Sequence, residues 1–151
     1  MAGANVFSRF DMKYGFWQVA VKEEDRFKTT FIIHVGHYKW NVMPFGLKHA
    51  PSKFQKFMDQ VFKPYFDWLI IYIDDVLIFS KSVEEHFKHV QTFTHVVKRS
   101  GLVLSKKKME LFQTKIKFLG HAIEDGQITL QKHALEFANK FPDTITYKKQ
   151  L

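Results

Sequence analysis

The chain has 151 residues, no cysteine and a formal net charge of +8, which suits one domain with a core and excludes a disulfide framework, a thiolate zinc site and a thiol nucleophile. Hydrophobic residues make up 46% of the chain and aromatic residues 17%, which excludes a disordered tail. The basic charge favours a polyanionic partner, nucleic acid before an anionic membrane, although solubility alone explains it equally well.

The first segments of the chain predict strands separated by turns. Residues 5–21 have the pattern of a strand, a turn at Tyr14-Gly15 and a second strand. Residues 22–28 are predicted to form a charged turn, and residues 29–43 return to a strand pattern.

Two helices are predicted from apolar spacing and end signals. The first begins near Pro51 and ends before Pro64, with its apolar face formed by Phe54, Phe57, Met58, Val61 and Phe62. The second begins with a capping box formed by Ser82 and Glu85 and ends at Gly101. Its apolar face is predicted to contain Phe87, Val90, Thr94 and Val97.

The remaining segments predict more strands. Residues 69–80, LIIYIDDVLIFS, are predicted to form two short strands joined at a pair of aspartates. Further strands are predicted at residues 102–104, 115–123 and 127–130, the last two joined at Asp125-Gly126. The last twenty residues have a mixed, at most helical, pattern. This order predicts an α+β fold with a mostly antiparallel sheet in one domain, residues 1–151.

The paired aspartates are the first candidate functional residues. Because Asp favours turns, an exposed hairpin tip explains Asp74 and Asp75 taken alone. However, apolar residues flank the pair on both sides, which places both carboxylates at the rim of a core. Two carboxylates there raise each other's pKa unless a cation lies between them.

A third acid, Asp11, ends an apolar strand and is expected to lie beside Asp74 and Asp75 at one edge of the sheet. Carboxylate oxygens without His or Cys suit Mg²⁺, or Mn²⁺ in its place. Two such ions hold the attacking and leaving oxygens of a phosphoryl displacement. The residue types therefore indicate metal-dependent phosphoryl transfer on nucleic acid.

Five motifs in order resemble the reverse transcriptase palm over about residues 6–123. They are FDMKYGFWQV (10–19), MPFGLKHAPSKFQ (43–55), YIDDVLIFS (72–80), GLVLSKKK (101–108) and FLGH (118–121). The residues of these motifs are similar to those of plant pararetroviruses of the caulimovirus and badnavirus kind, and next to those of gypsy-type LTR retrotransposons. The resemblance implies a palm of the split βαβ kind, with two packed helices and a small part of the fingers.

The resemblance implies roles for the candidate catalytic residues. Asp11 and Asp74 match the aspartates that bind two Mg²⁺ ions, and Asp75 matches a weaker or indirect ligand. A backbone carbonyl near Met12 completes one metal shell in the family. Lys108, ahead of its neighbour Lys107, matches a lysine that protonates the pyrophosphate leaving group.

The resemblance also implies contacts with nucleotide and nucleic acid. Phe16 matches the aromatic gate that leaves no room for a 2′-hydroxyl, and Phe45 with Gly46 matches the segment against the nascent base pair. Residues implied to contact template or primer are Gln55, Tyr72, Phe118, Leu119 and Gly120.

Other polar and aromatic residues are interpreted without a functional role. His86, His89 and His95 are predicted to form a polar helix face, because no further ligand stands in register for a metal. Trp17, Trp40 and Trp68 are predicted to be core residues.

The resemblance implies a DNA polymerase directed by RNA or DNA, with primed template and dNTP as partners. The family's fingers, thumb and ribonuclease H would belong to a larger parent polyprotein. The alternatives are a catalytically silent palm that only binds nucleic acid and a metal-dependent nuclease. Neither a run of 18 uncharged apolar residues nor a signal peptide is present, so no membrane partner is expected. The expected location is intracellular, in the cytoplasm or a virus-like particle of a plant host.

Overall fold

A four-stranded antiparallel sheet forms the centre of the fold. The computed structural model describes residues 1, 3–124 and 126–130. The strands of this sheet are β1 (Val6–Asp11), β4 (Leu69–Tyr72), β5 (Asp75–Ser80) and β6 (Glu110–Gln113). They lie in the order β4-β5-β1-β6, so the first strand of the chain pairs on both sides with strands that come much later. The α+β prediction with a mostly antiparallel sheet is confirmed.

Two helices cover one face of this sheet, α1 (Ala50–Phe62) and α2 (Val83–Arg99). Their buried side chains form one core with the sheet; among its members are Phe10, Phe54, Met58, Phe62, Val76, Ile78, Phe93 and Val97. Alternation along β1 and β5 sends every second side chain to the opposite face. There, Phe7 and Leu77 pack against a second small sheet.

The second sheet contains β7 (Lys115–Phe118), β8 (His121–Glu124) and β9 (Gln127–Leu130). The sequence predicts a single strand over 115–123, but the chain turns within that segment, with Leu119 at φ 47° and Gly120 at φ 78°. The predicted turn residue Asp125 and the last twenty residues lie outside the described residues.

A separate hairpin joins β2 (Phe31–Ile33) to β3 (Gly36–Tyr38), which agrees with the strand pattern predicted for 29–43. Its large apolar side chains are largely exposed, among them Phe31, Ile32, Ile33 and Tyr38. No described helix is long and apolar enough to cross a membrane.

The predicted strand after Tyr14-Gly15 is wrong. Tyr14 adopts a left-handed backbone with φ 64°, and the chain continues as a 3₁₀ helix over Gly15–Gln18. A second 3₁₀ helix, Glu23–Thr29, replaces the predicted charged turn. Local hydrogen bonds, such as Val19 N–H to the Phe16 carbonyl at 3.0 Å, replace strand pairing. Apolar composition alone does not distinguish these two outcomes.

The start of α2 is predicted correctly, and its buried face is predicted in part: Val97 is buried and Val90 packs against the core, whereas Thr94 is exposed. Ser82 caps the helix by accepting from the Glu85 N–H at 3.2 Å, while the Glu85 carboxylate accepts from the Lys81 N–H at 2.9 Å. The fully buried positions are His86, Phe93 and Val97, and Phe87 is 61% exposed. His86 and Phe93 are therefore buried in place of the predicted Phe87 and Thr94.

Candidate active site

The three acids of the sequence analysis lie at one end of the central sheet. Asp11 is the last residue of β1 and Asp75 the first of β5, and the antiparallel register pairs them directly. Paired residues on adjacent antiparallel strands have Cα atoms about 5 Å apart. The Met12 N–H donates to the Asp74 carbonyl at 2.9 Å, which ties the chain after β1 to the turn before β5.

The turn between β4 and β5 consists of Ile73 and Asp74, since the ladder closes at Tyr72 and Asp75. Ile73 has φ 53°, an uncommon backbone for a β-branched residue. The Gln55 side chain stabilises it, because its Oε1 accepts from the Ile73 N–H at 2.7 Å. Gln55 therefore supports the aspartate turn from α1, and its contact with template stays a prediction.

The Asp74 carboxyl group is held in a confined position. Its Oδ1 is buried without a hydrogen-bond partner among the described residues. Burial raises the pKa of Asp74, and the charges of Asp11 and Asp75 raise it further. Gly15, at φ +37°, leaves the space that this carboxyl group occupies: a Cβ there would lie 2.7 Å from Asp74 Oδ2.

Lys108 contributes a positively charged side chain to the site. It ends a 3₁₀ turn over Lys106–Lys108, and its Nζ lies 3.1 Å from Asp11 Oδ2. The backbone fixes this approach, since Ser105 N–H donates to the Asp11 carbonyl at 2.9 Å and Lys108 N–H to the Ser105 carbonyl at 3.2 Å. Burial and the Asp11 charge raise the pKa of Asp75, whereas Arg9 and Lys108 lower it.

An open cavity of about 400 Å³ lies over these groups. Its lining includes the charged residues Asp11, Asp74 and Lys108 and the apolar residues Met12 and Phe45. Both charged and apolar surfaces therefore face one space.

The three carboxylates are neighbours, yet among the described residues they do not form a complete set of metal ligands. Within the described ranges no group of three or more His, Cys, Asp or Glu side chains is arranged to hold a metal ion. The donor set nevertheless suits Mg²⁺, which prefers carboxylate oxygens and keeps part of its water shell. The unpartnered Oδ1 of Asp74 is a free acceptor on the same edge, so Asp11, Asp74 and Asp75 are the residues that could hold such an ion.

The predicted gate residue Phe16 directly follows Gly15, the residue next to the Asp74 carboxyl group. Its ring meets Phe45 and Phe54 edge-on, with both centroid distances at 5.5 Å. Phe54 is fully buried in α1, so the Phe16 ring packs directly against the core. Gly46, at φ +87°, follows Phe45 in an open loop with nothing within 4 Å of its added Cβ.

The predicted primer contacts lie on the same side of the central sheet as Asp11. Phe118 is buried under the β7–β8 turn, where Leu119 is exposed and Gly120 completes the reversal. The Arg9 guanidinium donates to the Lys117 carbonyl at 3.0 Å and bonds to Glu110, which joins β1 to β7 and β6. Tyr72, 54% exposed, lies next to the aspartate turn.

The histidine prediction is wrong for His86. Its ring is fully buried, with Nε2 2.7 Å from the Ser8 hydroxyl and Nδ1 2.8 Å from the Ser80 hydroxyl. His89 contacts the same Ser80 hydroxyl at 2.8 Å and stacks on Trp68. A buried imidazole between two serines is accommodated because both nitrogens are satisfied.

The tryptophan prediction holds only in part. Trp40 and Trp68 are half-buried, but Trp17 is 41% exposed and stacks between Tyr14 and Trp40 at 6.1 Å and 6.2 Å.

The sequence analysis missed Gly15 and Gln18 at the site, and it assigned Gln55 to template contact without its role in the aspartate turn. Gly15 and Gln55 shape the aspartate turn, and Gln18 bonds to the backbone of two segments. The signal for Gln18 and Gln55 was a lone amide side chain within an apolar motif, which needs a partner when it is half-buried.

Comparison with known proteins decides the family. The family model described as reverse transcriptase (RNA-dependent DNA polymerase) matches residues 1–123. The chain belongs to the reverse transcriptase family. The enzymatic polyprotein of Cauliflower mosaic virus (strain D/H) is 49% identical over 149 residues, which is 99% of this chain and 22% of that protein. The genome polyprotein of Petunia vein clearing virus is 46% identical over 151 residues, 100% of this chain and 7% of that protein. The predicted likeness to plant pararetroviruses is confirmed, and the chain spans about a fifth or less of these relatives.

Solved reverse transcriptase structures share the fold. The foamy viral protease-reverse transcriptase in complex with an RNA/DNA hybrid has a TM-score of 0.79 at 21% identity, covering 93% of this chain and 19% of that one. A complex of the same kind of enzyme with double-stranded DNA has a TM-score of 0.80 at 23% identity, covering 97% and 25%. The palm prediction is therefore confirmed for the fold.

Proposed function

We propose that this chain is the palm of an RNA- and DNA-directed DNA polymerase that adds dNTP to a primer 3′-hydroxyl. The observation that carries the proposal is the register that pairs Asp11 with Asp75 and places Asp74 in the adjoining turn. Membership of the reverse transcriptase family supports the same reaction.

The reaction joins the primer 3′-oxygen to the α-phosphorus of dNTP and breaks the bond to pyrophosphate. Two Mg²⁺ ions, when bound, would supply the charge that activates the hydroxyl and stabilises the leaving group. Asp11 and Asp74 would hold them, with Asp75 as the weaker ligand. Burial raises the pKa of Asp74 and the charges of Asp11 and Asp75 raise it further, as expected for a cation site without its cation.

Lys108 is proposed as the proton donor to the pyrophosphate oxygen that leaves. What supports this role is that its ammonium group is exposed, lies beside Asp11 and belongs to a residue that lines the cavity. Phe16 would lie beneath the sugar, where its ring, packed against Phe45 and Phe54, excludes a 2′-hydroxyl.

The proposed partners are a primed RNA or DNA template and dNTP. The basic chain, with a net charge of +8, suits the phosphate backbone, and Gln55, Tyr72, Phe118, Leu119 and Gly120 remain proposed contacts. We further propose that residues 1–151 form one palm unit of a longer polyprotein with fingers, thumb and ribonuclease H. Its proposed location is the cytoplasm or a virus-like particle of a plant host.

One observation favours a second candidate, a palm that binds nucleic acid without catalysis. Asp11 is paired with Lys108, and the acids do not form a closed metal shell within the described residues. In that case Lys108 would serve as a permanent substitute for the cation.

Primer extension separates the candidates. The chain, Asp74→Asn and the control Asp67→Asn, which removes an exposed carboxylate elsewhere, are given primed RNA template, dNTPs and Mg²⁺. If the chain is a polymerase, the wild type and Asp67→Asn extend the primer and Asp74→Asn does not. Equal background extension by all three proteins supports the palm that only binds nucleic acid. Degradation of the template without dNTPs supports the nuclease.

A further inference from the structure

Gln18 makes an unusual set of contacts for a half-buried residue at the end of a short 3₁₀ helix. Its Nε2 donates to the Lys13 carbonyl at 2.6 Å and to the Val103 carbonyl at 3.1 Å. Its Oε1 accepts from the Val103 N–H at 2.7 Å. The amide orientation follows from these partners, because exchanging O and N would set donor against donor and acceptor against two acceptors.

These bonds join two segments that are far apart in sequence and both belong to the site. Residues 12–16 follow Asp11 and lead to the gate Phe16, while residues 103–105 lead to Lys108. Their backbone contact is short: Lys13 N–H donates to the Val103 carbonyl at 2.8 Å and Ser105 N–H to the Asp11 carbonyl at 2.9 Å, on either side of the isolated bridge between Met12 and Leu104. Three side-chain bonds from Gln18 therefore add substantially to a connection that the backbone makes only briefly.

Both segments line the cavity over the acids. Met12, Lys13 and Gly15 line it from one segment, and Ser105 and Lys108 line it from the other. A change in their separation changes the width of this cavity, whereas Asp11 and Asp75 stay fixed by the sheet register.

We propose that Gln18 is a positioning residue that sets the width of the nucleotide cavity by fixing residues 12–16 against residues 103–108. The inference rests on the proposed polymerase function and deepens it, since it assigns Gln18 to nucleotide affinity and sugar selection. Gln18 acts through the backbone of Lys13 and Val103 and touches no reacting atom.

Two variants test the proposal on the full chain. Gln18→Met keeps the side-chain length and removes all three hydrogen bonds, while Gln18→Glu keeps the acceptor for Val103 N–H and sets a carboxylate against two carbonyls. Gln91→Met, an exposed glutamine on α2, is the matched control.

The expected result is a rise of about tenfold in KM for dNTP in both Gln18 variants, the scale of losing a small set of hydrogen bonds. Discrimination against ribonucleotides should fall as well, while the Kd for primed template and the values for Gln91→Met stay unchanged. A merely structural role would reduce the fraction of active protein and lower kcat, leaving KM for dNTP and sugar discrimination unaltered. That second pattern overturns the proposal.

A separate binding measurement distinguishes failure of the proposed polymerase function from failure of the Gln18 proposal. If the wild type extends no primer, Mg²⁺·dATP binding is measured through Trp17 fluorescence, since Trp17 precedes Gln18 and stacks on Tyr14 at the cavity rim. About tenfold weaker binding by Gln18→Met than by wild type still supports the positioning role. Equal affinity, or no binding by the wild type, refutes it.

Discussion

Gly15→Ala should damage catalysis far more than it damages folding. A Cβ at position 15 would lie 2.7 Å from Asp74 Oδ2 and 2.8 Å from its Cγ, where ordinary contacts are 3.4–4 Å. The Asp74 carboxyl group must therefore retreat by roughly 1 Å. The backbone of this turn stays held by Gln55 and Met12, so the displacement falls on the Asp74 side chain and not on the fold.

The expected loss follows from this displacement. Misplacing a catalytic group by ~1 Å costs about 10²-fold in rate, or roughly 2.7 kcal/mol of transition-state stabilisation. Alanine at φ +37° adds backbone strain of about 1–2 kcal/mol to the folded state. Gly101→Ala provides the matched control, since Gly101 has φ +71° and nothing within 4 Å of an added Cβ.

Primer extension and thermal unfolding are measured on wild type, Gly15→Ala and Gly101→Ala. Both variants should lose a similar few degrees in Tm, and only Gly15→Ala should lose about 10²-fold in kcat. If Gly15→Ala keeps the kcat of Gly101→Ala, then Asp74 tolerates the displacement and the reasoning about its confinement is refuted.

Four further predictions address other parts of the site. Burial, and then the charge of His89, lowers the pKa of His86 to about 4 from 6.5, so its stabilising effect is complete above pH 6.5 and is lost as pH falls through 4. Urea unfolding from pH 7 to pH 4 should show a loss on the order of 3 kcal/mol that is reduced in His86→Asn; parallel curves would contradict this. Phe16→Val should admit ribonucleotides at least tenfold better with little change in kcat for dNTP, measured by competing rNTP against dNTP; unchanged selection would exclude a gate at Phe16. Lys108→Met should lower kcat by about 10²-fold, with Lys106→Met near wild type, and equal effects of the two would remove the general-acid role. Asp74→Asn should raise the Tm of the metal-free protein and abolish the Tm gain caused by Mg²⁺, and a retained Mg²⁺ effect would place the ion elsewhere.

The sequence predicted elements well where local signals and burial agree. Helix α1 has a proline near its start and a regular apolar stripe, and both are present in the structure. The strands flanking Asp74 and Asp75 are apolar on both sides because helices cover one face and the second sheet covers the other. The location of Asp11 beside them also followed, since a strand end is fixed once its neighbours are known.

Prediction failed where a residue's role depends on a distant partner. His86 has the polarity of a surface residue, and only the serines on β1 and β5 make its burial possible. Gln18 likewise has its partner 85 residues away, at Val103. The segment after Tyr14 has strand-like composition, yet a left-handed residue at its start turns it into a 3₁₀ helix. None of these outcomes is encoded within a short window of sequence.

The position of β1 at the centre of the sheet has a consequence for biosynthesis. The ion pair between Arg9 and Glu110 spans 101 positions, and the one between Lys108 and Asp11 spans 97. Translation therefore delivers β1 before either of its neighbours: one edge can pair once β5 is made, while the edge facing β6 stays unpaired until Glu110–Gln113 follow. Such non-local pairing slows folding and exposes β1 to association with other nascent chains. A ribosome stalled before Glu110 would display a palm with Asp11 in place and one edge of its strand still open.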